Sequence, residues 1–273
     1  NALLAQLDTY RLHGVNAVSI SLQGGEALSH DPFSASGNSL APAYMARLIS
    51  VVEALDVRSM VAIVGMFSPD VTDVSLTDWD AAEAALSVVT KALRPYRNVI
   101  LNTADKQDSL NHQGKAWARV RSPAEIQHLA QIMRRLDPDR LVGGGGTDYA
   151  ANLELGTLPN VDVLLFSGGD LAKVAQDLKA AGVAKPMLCV ELYGSWTGQY
   201  LPPGVFPDAV KQRYFDDLET ALSTGALSVF FYSAPWLEGP SVGAFPIRFD
   251  LGGQGTEADP GIRWYFDRLR ARR

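Results

Sequence analysis

The sequence contains very little cysteine and histidine, which limits the chemistry it can support. Cys189 is the single cysteine among 273 residues, so the chain cannot form a disulfide with itself. It stands in an apolar run, which predicts a small core residue rather than a reactive thiol. The four histidines, His13, His30, His112 and His128, are not spaced as metal ligands are. We therefore expect neither a metal nor an organic cofactor.

Concentrated positive charge and long apolar runs are also missing. The net charge is −6, and the only basic cluster is the final RLRARR. Nucleic acids are bound by clustered Lys and Arg, so we expect no nucleic-acid partner. No apolar stretch approaches the roughly 18 residues of a membrane span, so we expect no membrane partner.

The localisation of the protein is not determined by its sequence. No signal peptide is visible. The chain begins within a helical pattern formed by Leu3, Leu4, Leu7 and Tyr10, which indicates a processed or trimmed start. A secreted or extracytoplasmic location is expected if a signal was removed upstream.

Short apolar runs recur along the chain and predict buried strands. Most are continuous rather than alternating, which is typical of parallel strands covered on both faces. The runs are 15–22, 60–67, 98–104, 140–146, 161–167, 186–191 and 226–233. Regular alternation along 186–191 would place Cys189 and Glu191 on the same face, toward the axis of a barrel.

Amphipathic helical patterns lie between the apolar runs. One of them begins at Ser122–Glu125, which has the spacing of a capping box with Pro123 at the first helical position. Alternating strands and helices predict a parallel sheet, either a barrel or a doubly wound sheet. Seven strands preceded by a helix favour a (β/α)8 TIM barrel whose first strand lies upstream of residue 1. No shift in composition divides the chain, so we predict one domain over residues 1–273.

Polar and aromatic residues gather in the loops that follow the predicted strands. In a parallel barrel these loops form the active site, and the opposite loops here are short. Aromatic rings stack on sugars while amides and carboxylates bind their hydroxyls, so this rim indicates a carbohydrate ligand. The predicted lining residues are Gln23, Asn102, Lys106, Asp148, Tyr193, Trp196 and Trp236.

The stretch from Pro186 to Gly194, PMLCVELYG, resembles the strand that carries the nucleophile in clan A glycoside hydrolases, the cellulase-like barrel enzymes. The segment LHGVNAVSISLQGG resembles the second strand of that superfamily, and residues 40–65 resemble its helix 2 and strand 3. Trp236 stands where the superfamily commonly has the Trp that floors the sugar site. The resemblance covers essentially the whole chain. It implies a retaining glycosidase that acts on an oligosaccharide or glycoside, with Glu191 as the nucleophile.

The fourth strand departs from the pattern of the superfamily. There it ends N-V-[IL]-[YI]-E-[IL]-x-N-E, and the last Glu is the acid/base. Here residues 98–106 read NVILNTADK, so Asp105 replaces the Asn and Lys106 replaces the Glu. A lysine with an ordinary pKa near ~10.4 does not cycle readily as acid and base at neutral pH. Asp105 is therefore the candidate acid/base.

Three functions remain open at this point. The preferred one is retaining hydrolysis, which needs two carboxylates about 5 to 5.5 Å apart. The second is a catalytically impaired barrel that binds carbohydrate, in which Glu191 pairs with Lys106. The third is a barrel enzyme with a phosphate ligand, because Gly143–Gly146 and Ser167–Gly169 resemble loops that cradle anions. These glycines equally allow close approach of the backbone.

Overall fold

A computed structural model describes residues 2–23, 31–168, 170–191, 204–224, 227–229 and 249–271. Strands and helices alternate throughout these ranges. The strands are β1 (Ala17–Ser21), β2 (Val61–Phe67), β3 (Val99–Ala104), β4 (Leu141–Gly144), β5 (Val163–Ser167), β6 (Met187–Glu191) and β7 (Leu227–Val229). The helices are α1 (Ala2–Leu12), α2 (Pro42–Asp56), α3 (Trp79–Leu93), α4 (Pro123–Leu136), α5 (Tyr149–Thr157), α6 (Leu171–Ala180), α7 (Asp208–Thr224) and α8 (Arg263–Arg270).

The sheet is parallel, and its strands follow the order of the chain. Every neighbouring pair from β1 to β7 is hydrogen-bonded. A doubly wound sheet reverses its strand order at a switch point, and this order has no reversal. The described strands therefore form a partial (β/α) barrel. Each of the predicted apolar runs contains one of these strands, so that part of the prediction is confirmed.

The strands are largely apolar because helices cover one face and the interior of the barrel covers the other. In β2, all residues after Val61 are buried. Helix α3 supplies a buried stripe of Ala82, Leu86, Val89 and Leu93 against the sheet. Burying one such Leu or Val contributes about 1.5–3 kcal/mol to stability. No helix in the described ranges is long and apolar enough to span a membrane.

The start of α4 differs from the predicted capping box. Pro123 is the first helical residue as expected, but the side chain of Ser122 makes no capping hydrogen bond. The carboxylate of Glu125 instead pairs with Arg119, whose Nη2 lies 2.5 Å from Oε1. The backbone N–H of Ser122 also donates to the carbonyl oxygen of Arg119, so the reciprocal bonds of the box are not made.

A buried ion pair holds the end of the sheet opposite the predicted site. The side chains of Arg140 and Asp137 are each 1% exposed, and Nε of Arg140 lies 3.1 Å from Oδ2 of Asp137. The same guanidinium donates to the carbonyl oxygens of Leu93, Tyr96 and Val99. Arg140 thereby joins the end of α3 to the start of β3 and β4.

The first and last described segments of the chain are in contact near the end of α1. The hydroxyl of Tyr10 donates to the carbonyl oxygen of Phe249. Nε2 of His13 lies 3.4 Å from Oδ1 of Asp267 on α8. Among the described residues, no strand pairing joins β7 to β1.

The two faces of the sheet can be told apart at β4. A Cβ atom on Gly144 would lie 3.1 Å from Cγ2 of Ile126 in α4, so Gly144 faces the helices. A Cβ atom on Gly143 would instead lie 2.5 Å from Cδ1 of Leu165. Gly143 and Leu165 therefore lie on the opposite face, which we call the inner face.

Cys189 lies on the helical face, contrary to prediction. Gly144 pairs in register with Leu164, and Leu164 pairs with Met187, which brings Met187 to the helical face. Cys189 follows Met187 by two residues and is fully buried in the cluster that also contains Tyr265 of α8. Its predicted character as a small, buried core residue is confirmed.

Strand β6 has one extra residue where it pairs with β5. Phe166 pairs with Cys189, but the next residue, Ser167, pairs with Glu191, so Val190 forms a bulge. The alternation on which the prediction relied is broken at this point. The backbone of Glu191 takes the register position beside Ser167, which belongs to the inner face because it follows Leu165 by two residues.

Candidate functional site

Small residues form one level of the inner face. Ser21, Gly65, Asn102 and Gly143 are neighbours in register across β1 to β4. All but Asn102 have a side chain no larger than that of serine, so space remains above this level. The carboxylate of Asp105 occupies it: a Cβ atom on Gly65 would lie 2.9 Å from Oδ1 of Asp105 and 3.0 Å from Oδ2.

Asp105 follows the last residue of β3 and is half-buried. Its Oδ1 accepts a hydrogen bond of 2.7 Å from Nδ2 of Asn102. Burial raises the pKa of Asp105 to about 6, although the charge of Lys106 and the hydrogen bonds from Asn102 and Ser21 act to lower it. The negative charge of Asp70 acts in the same direction as burial. The result is a carboxyl group that titrates where general acids and bases work.

Lys106 immediately follows this carboxyl group and has a left-handed backbone, with a φ of 42°. This conformation is unfavourable for residues other than glycine and therefore needs support from its surroundings. Lys106 is half-buried, and its charge lowers the pKa of Asp105. The structure thus brings together three predicted site residues, Asn102, Asp105 and Lys106.

Buried polar atoms without partners lie near the carboxyl ends of β1, β3 and β5. Each lacks a hydrogen bond within the part of the chain that the structure describes. They are Nε2 of Gln23, Oδ1 of Asn102, Oγ of Ser167, and both Nε2 and Oε1 of Gln107. An unsatisfied buried polar group costs about 1–3 kcal/mol, so such atoms call for water or a ligand.

Gln23, a predicted lining residue, is fully buried after β1. Its Oε1 accepts a 2.9 Å hydrogen bond from the backbone N–H of Ser68, in the loop after β2. The amide oxygen is thereby fixed, and the NH2 group is left available as a donor.

Asp148 is exposed and caps helix α5. Its Oδ1 accepts a 2.8 Å hydrogen bond from the backbone N–H of Ala151. This capping role accounts for the carboxylate. Its contact with a ligand stays a prediction.

The glycine-rich stretch after β4 holds a carboxylate of the chain itself. Asp108 accepts hydrogen bonds from the backbone N–H groups of Thr147, at 2.9 Å, and Asp148, and from the hydroxyl of Thr147. A Cβ atom on Gly146 would lie 2.0 Å from Oδ1 of Asp108. Asp108 therefore occupies the space beside Gly146, and phosphate binding by Gly143–Gly146 and Ser167–Gly169 stays a prediction.

Two residues beside Asp105 were missed by the sequence reasoning. Asp70 raises the pKa of Asp105 by its charge, and it lies three residues beyond β2, where the strand-end rule could have found it. His112 is fully buried, with Nε2 3.0 Å from the carbonyl oxygen of Asp105. No motif marked His112, because the contact depends on how the loop folds back.

The remaining predicted residues lie outside what the structure describes. Tyr193, Trp196 and Trp236 fall in the gaps between the described ranges, and so does the side chain of Glu191. Their roles stay predictions. Among the described residues, no group of three or more His, Cys, Asp or Glu side chains is arranged to hold a metal ion.

Comparisons with known proteins give a fold rather than a close relative. No protein-family model and no curated protein matches the chain. A glycoside hydrolase family 5 enzyme from Prevotella bryantii superimposes with a TM-score of 0.67 at 12% identity, over 99% of this chain and 84% of that one. A mutant of that enzyme was solved in complex with a xyloglucan tetradecasaccharide.

Two further structures of this kind match. An endo-β-1,4-mannanase from Thermotoga petrophila has a TM-score of 0.60 at 13% identity, over 98% of this chain and 72% of that one. A family 5 glycoside hydrolase from Bacteroides vulgatus has a TM-score of 0.61 at 13% identity, over 84% of this chain. The match spans about half of the Bacteroides chain, 54% of its length. The protein therefore has the fold found in glycoside hydrolase family 5 structures of clan A.

Proposed function

We propose that the protein is a glycoside hydrolase that binds a carbohydrate at the carboxyl ends of its strands and cleaves it with retention of configuration. Glu191 is the nucleophile and Asp105 the acid/base. The observation that carries the proposal is the half-buried carboxyl group of Asp105, whose pKa is raised to about 6 by burial. Such a group can both donate and accept a proton near pH 6, as an acid/base must.

The register of β6 supports Glu191 as the partner of Asp105. The bulge at Val190 puts the backbone of Glu191 level with Ser167 on the inner face. A regular ladder would have given this level to Val190. Bulges often occur beside active sites, where they redirect one residue without disturbing the rest of the strand.

The buried polar atoms support a polyhydroxylated ligand. Sugar hydroxyls both donate and accept, so they can satisfy the NH2 group of Gln23, the amide oxygen of Asn102 and the hydroxyl of Ser167. Tyr193, Trp196 and Trp236 would stack on the apolar face of a sugar ring. Lys106 would donate to its hydroxyls.

The proposed reaction has two steps. In the first, protonated Asp105 gives its proton to the glycosidic oxygen while Glu191 attacks the anomeric carbon and forms a glycosyl-enzyme. In the second, ionised Asp105 takes a proton from water, and that water releases the sugar. Because Asp105 must start protonated, kcat/KM is expected to fall as the pH rises above about 6.

A second candidate is carbohydrate binding without turnover. It is favoured by the hydrogen bonds that hold the Asp105 carboxylate over Gly65, and by Lys106 at the position of the acid/base in the superfamily motif. This alternative keeps the same ligand and the same lining residues. It differs only in the rate of hydrolysis.

We further propose that the sheet closes into an eight-stranded barrel, with one more strand between β7 and β1. Two contacts between the first and last described segments, from Tyr10 of α1 to Phe249 and from His13 to Asp267 of α8, support closure of the outer layer. Closure would enclose the inner face that carries Asn102. The carbohydrate would then enter from the carboxyl ends of the strands.

The test combines binding with turnover on one preparation. Xyloglucan and β-1,4-mannan oligosaccharides are suitable probes, because solved neighbours of the same fold bind or cleave them. Proton NMR of the first product distinguishes retention from inversion. Asp105→Asn should lower kcat by about 10²- to 10⁴-fold, and Glu191→Gln should abolish hydrolysis, with sugar binding preserved in both.

Each outcome of this test decides between the candidates. Hydrolysis with inversion would reject Glu191 as a nucleophile. Binding by the wild type without detectable turnover would favour the second candidate. Neither binding nor turnover across the panel would reject both for these sugars.

A further inference from the structure

His112 has two hydrogen-bonding neighbours that together fix its protonation. It ends a short 3-10 helix, Leu110–His112, and is fully buried. Nε2 lies 3.0 Å from the carbonyl oxygen of Asp105. Nδ1 lies 3.2 Å from Nε1 of Trp117, which is also fully buried.

These contacts allow one state of the imidazole. An indole N–H can only donate, so Nδ1 of His112 must accept. A carbonyl oxygen can only accept, so Nε2 must carry the proton. A proton on Nδ1 would face the N–H group of Trp117. Burial lowers the pKa of His112, which keeps the ring neutral, and the charge of Lys115 acts in the same direction.

The backbone of Asp105 is held on both sides. Its N–H donates to the carbonyl oxygen of Phe67 at 2.9 Å, which continues the ladder of the sheet. Its carbonyl oxygen accepts from His112. The ring of Trp117 stacks on that of Phe67, with centroids 5.3 Å apart and an interplanar angle of 14°. Phe67, Asp105, His112 and Trp117 therefore form a closed circuit of contacts.

These contacts hold the peptide unit between Asp105 and Lys106, the residue with the left-handed backbone. The carbonyl of Asp105 belongs to the same planar peptide as the N–H of Lys106, whose φ is 42°. Turning that peptide would break the bond to His112 and would change ψ of Asp105 and φ of Lys106 together. A change of ψ that Lys106, already at an unfavourable φ, does not match would turn the backbone of Asp105, and its side chain would then leave its position over Gly65.

We propose that His112, fixed as a neutral donor by Trp117, is a positioning residue that holds the Asp105–Lys106 peptide and thereby directs the Asp105 carboxyl group over Gly65. The proposal rests on the proposed role of Asp105 as acid/base. His112 itself neither contacts the substrate nor transfers a proton in this scheme. It acts only through Asp105.

The experiment measures the carboxyl group directly. Carbon-detected NMR titration of aspartate-labelled protein, with Asp105→Asn to assign the signal, gives the pKa of Asp105 without any substrate. In His112→Phe the ring remains but the donor is lost, so the carboxyl should turn toward water. Its pKa is then expected to fall by about one unit from the wild-type value near 6.

Matched variants separate positioning from simple stabilisation. His112→Gln retains an N–H donor and should restore most of the wild-type pKa of Asp105. Trp117→Phe keeps a ring against Phe67 but removes the N–H, so it should give an intermediate pKa. His128→Phe is the control, because His128 pairs with Glu83 on the outer helices and should leave Asp105 unchanged.

Kinetics supply the second readout. On a substrate that the protein hydrolyses, His112→Phe should lower kcat by about tenfold or more while KM changes little, since binding groups are untouched. A folded His112→Phe protein with unchanged Asp105 pKa and unchanged kcat would overturn the proposal. If that variant does not fold, an unchanged Asp105 pKa together with an unchanged kcat in Trp117→Phe would overturn it.

The failure of this proposal is distinct from failure of the proposed function. A lowered Asp105 pKa in His112→Phe, combined with full hydrolysis by Asp105→Asn, would reject Asp105 as the acid/base and keep His112 as its positioning residue. An unchanged Asp105 pKa in His112→Phe, combined with loss of hydrolysis in Asp105→Asn, would reject His112 as a positioning residue and keep Asp105 as the acid/base.

Discussion

Gly65 and the carboxylate of Asp105 are packed so closely that a methyl group on residue 65 would lie 2.9 Å from Oδ1. Gly65 pairs in register with Asn102, the donor to the same carboxylate. Glycine on β2 is therefore required by a side chain that follows β3. The requirement is steric, since the backbone of Gly65 is an ordinary strand.

This relationship predicts the effect of Gly65→Ala. The added methyl group should push the carboxyl group of Asp105 toward water, which lowers its pKa from about 6 toward the ordinary aspartate value. Stability should change by less than about 1 kcal/mol, because a flexible side chain can move away. Ser21→Ala is the opposite control: it removes a hydrogen bond that lowers the pKa of Asp105, so that pKa should rise. NMR titration of both variants measures the two directions, and equal shifts would contradict the steric argument.

The raised pKa of Asp105 also predicts how stability depends on pH. A carboxyl whose pKa is higher in the folded state than in the unfolded state favours folding while it is protonated. Its contribution is therefore present below about pH 4 and is lost as the pH rises to about 6. For a half-buried group, this contribution to the free energy of unfolding is about 1–3 kcal/mol. Urea unfolding of the wild type and Asp105→Asn between these pH values should give curves that diverge, and parallel curves would refute the raised pKa.

The strands could be predicted from the sequence because burial on both faces leaves a continuous apolar run. The run 60–67 became β2 with an error of one residue, and the run 161–167 became β5 with an error of two. Asn102, Asp105 and Lys106 lie together at the carboxyl end of β3, where the sequence predicted them, and their role in a site stays a prediction.

What could not be predicted depends on contacts between distant parts of the chain. The bulge at Val190 exists only relative to β5, so no pattern within β6 reveals it. Asp108 binds the loop after β4 from about forty residues away in the sequence. Its carboxylate lies against Gly146, so the glycine there leaves room for a side chain of the chain itself. The link from His112 to Asp105 likewise depends on a loop that folds back onto its own strand.

The buried pair at the opposite end of the sheet predicts a large loss of stability in Arg140→Met. The variant would leave Asp137 buried without this partner and three carbonyl oxygens without their donor. Breaking a buried pair on one side costs about 3–5 kcal/mol. Hydrolytic activity per folded molecule should not change, since Arg140 lies far along the strands from Asp105.

Arg58→Met is the matched control for Arg140→Met, because Arg58 pairs with the exposed carboxylate of Asp8. It should lower stability much less than Arg140→Met does. Urea unfolding at pH 7 compares the two variants. Equal losses would mean that burial does not determine the strength of the Arg140–Asp137 interaction.

The last prediction concerns Asp108, whose pH dependence should have the opposite sign to that of Asp105. Burial acts to raise the pKa of Asp108, but the hydrogen bonds from Thr147 and Asp148 prevail and lower it. A lowered pKa means that the ionised carboxylate stabilises the fold above the ordinary aspartate pKa, and that this stabilisation is lost as the pH falls. Asp108→Ala should therefore cost about 1.5–3 kcal/mol at pH 7, the range for hydrogen bonds to a charged group, and progressively less below pH ~4. Asp108→Asn keeps a hydrogen-bond acceptor without the charge, so its stability at pH 7 should lie between that of the wild type and that of Asp108→Ala. Unfolding curves at pH 7 and pH 3 test the sign, because a cost that stays constant across this range would show that the charge of Asp108 does not hold the loop after β4.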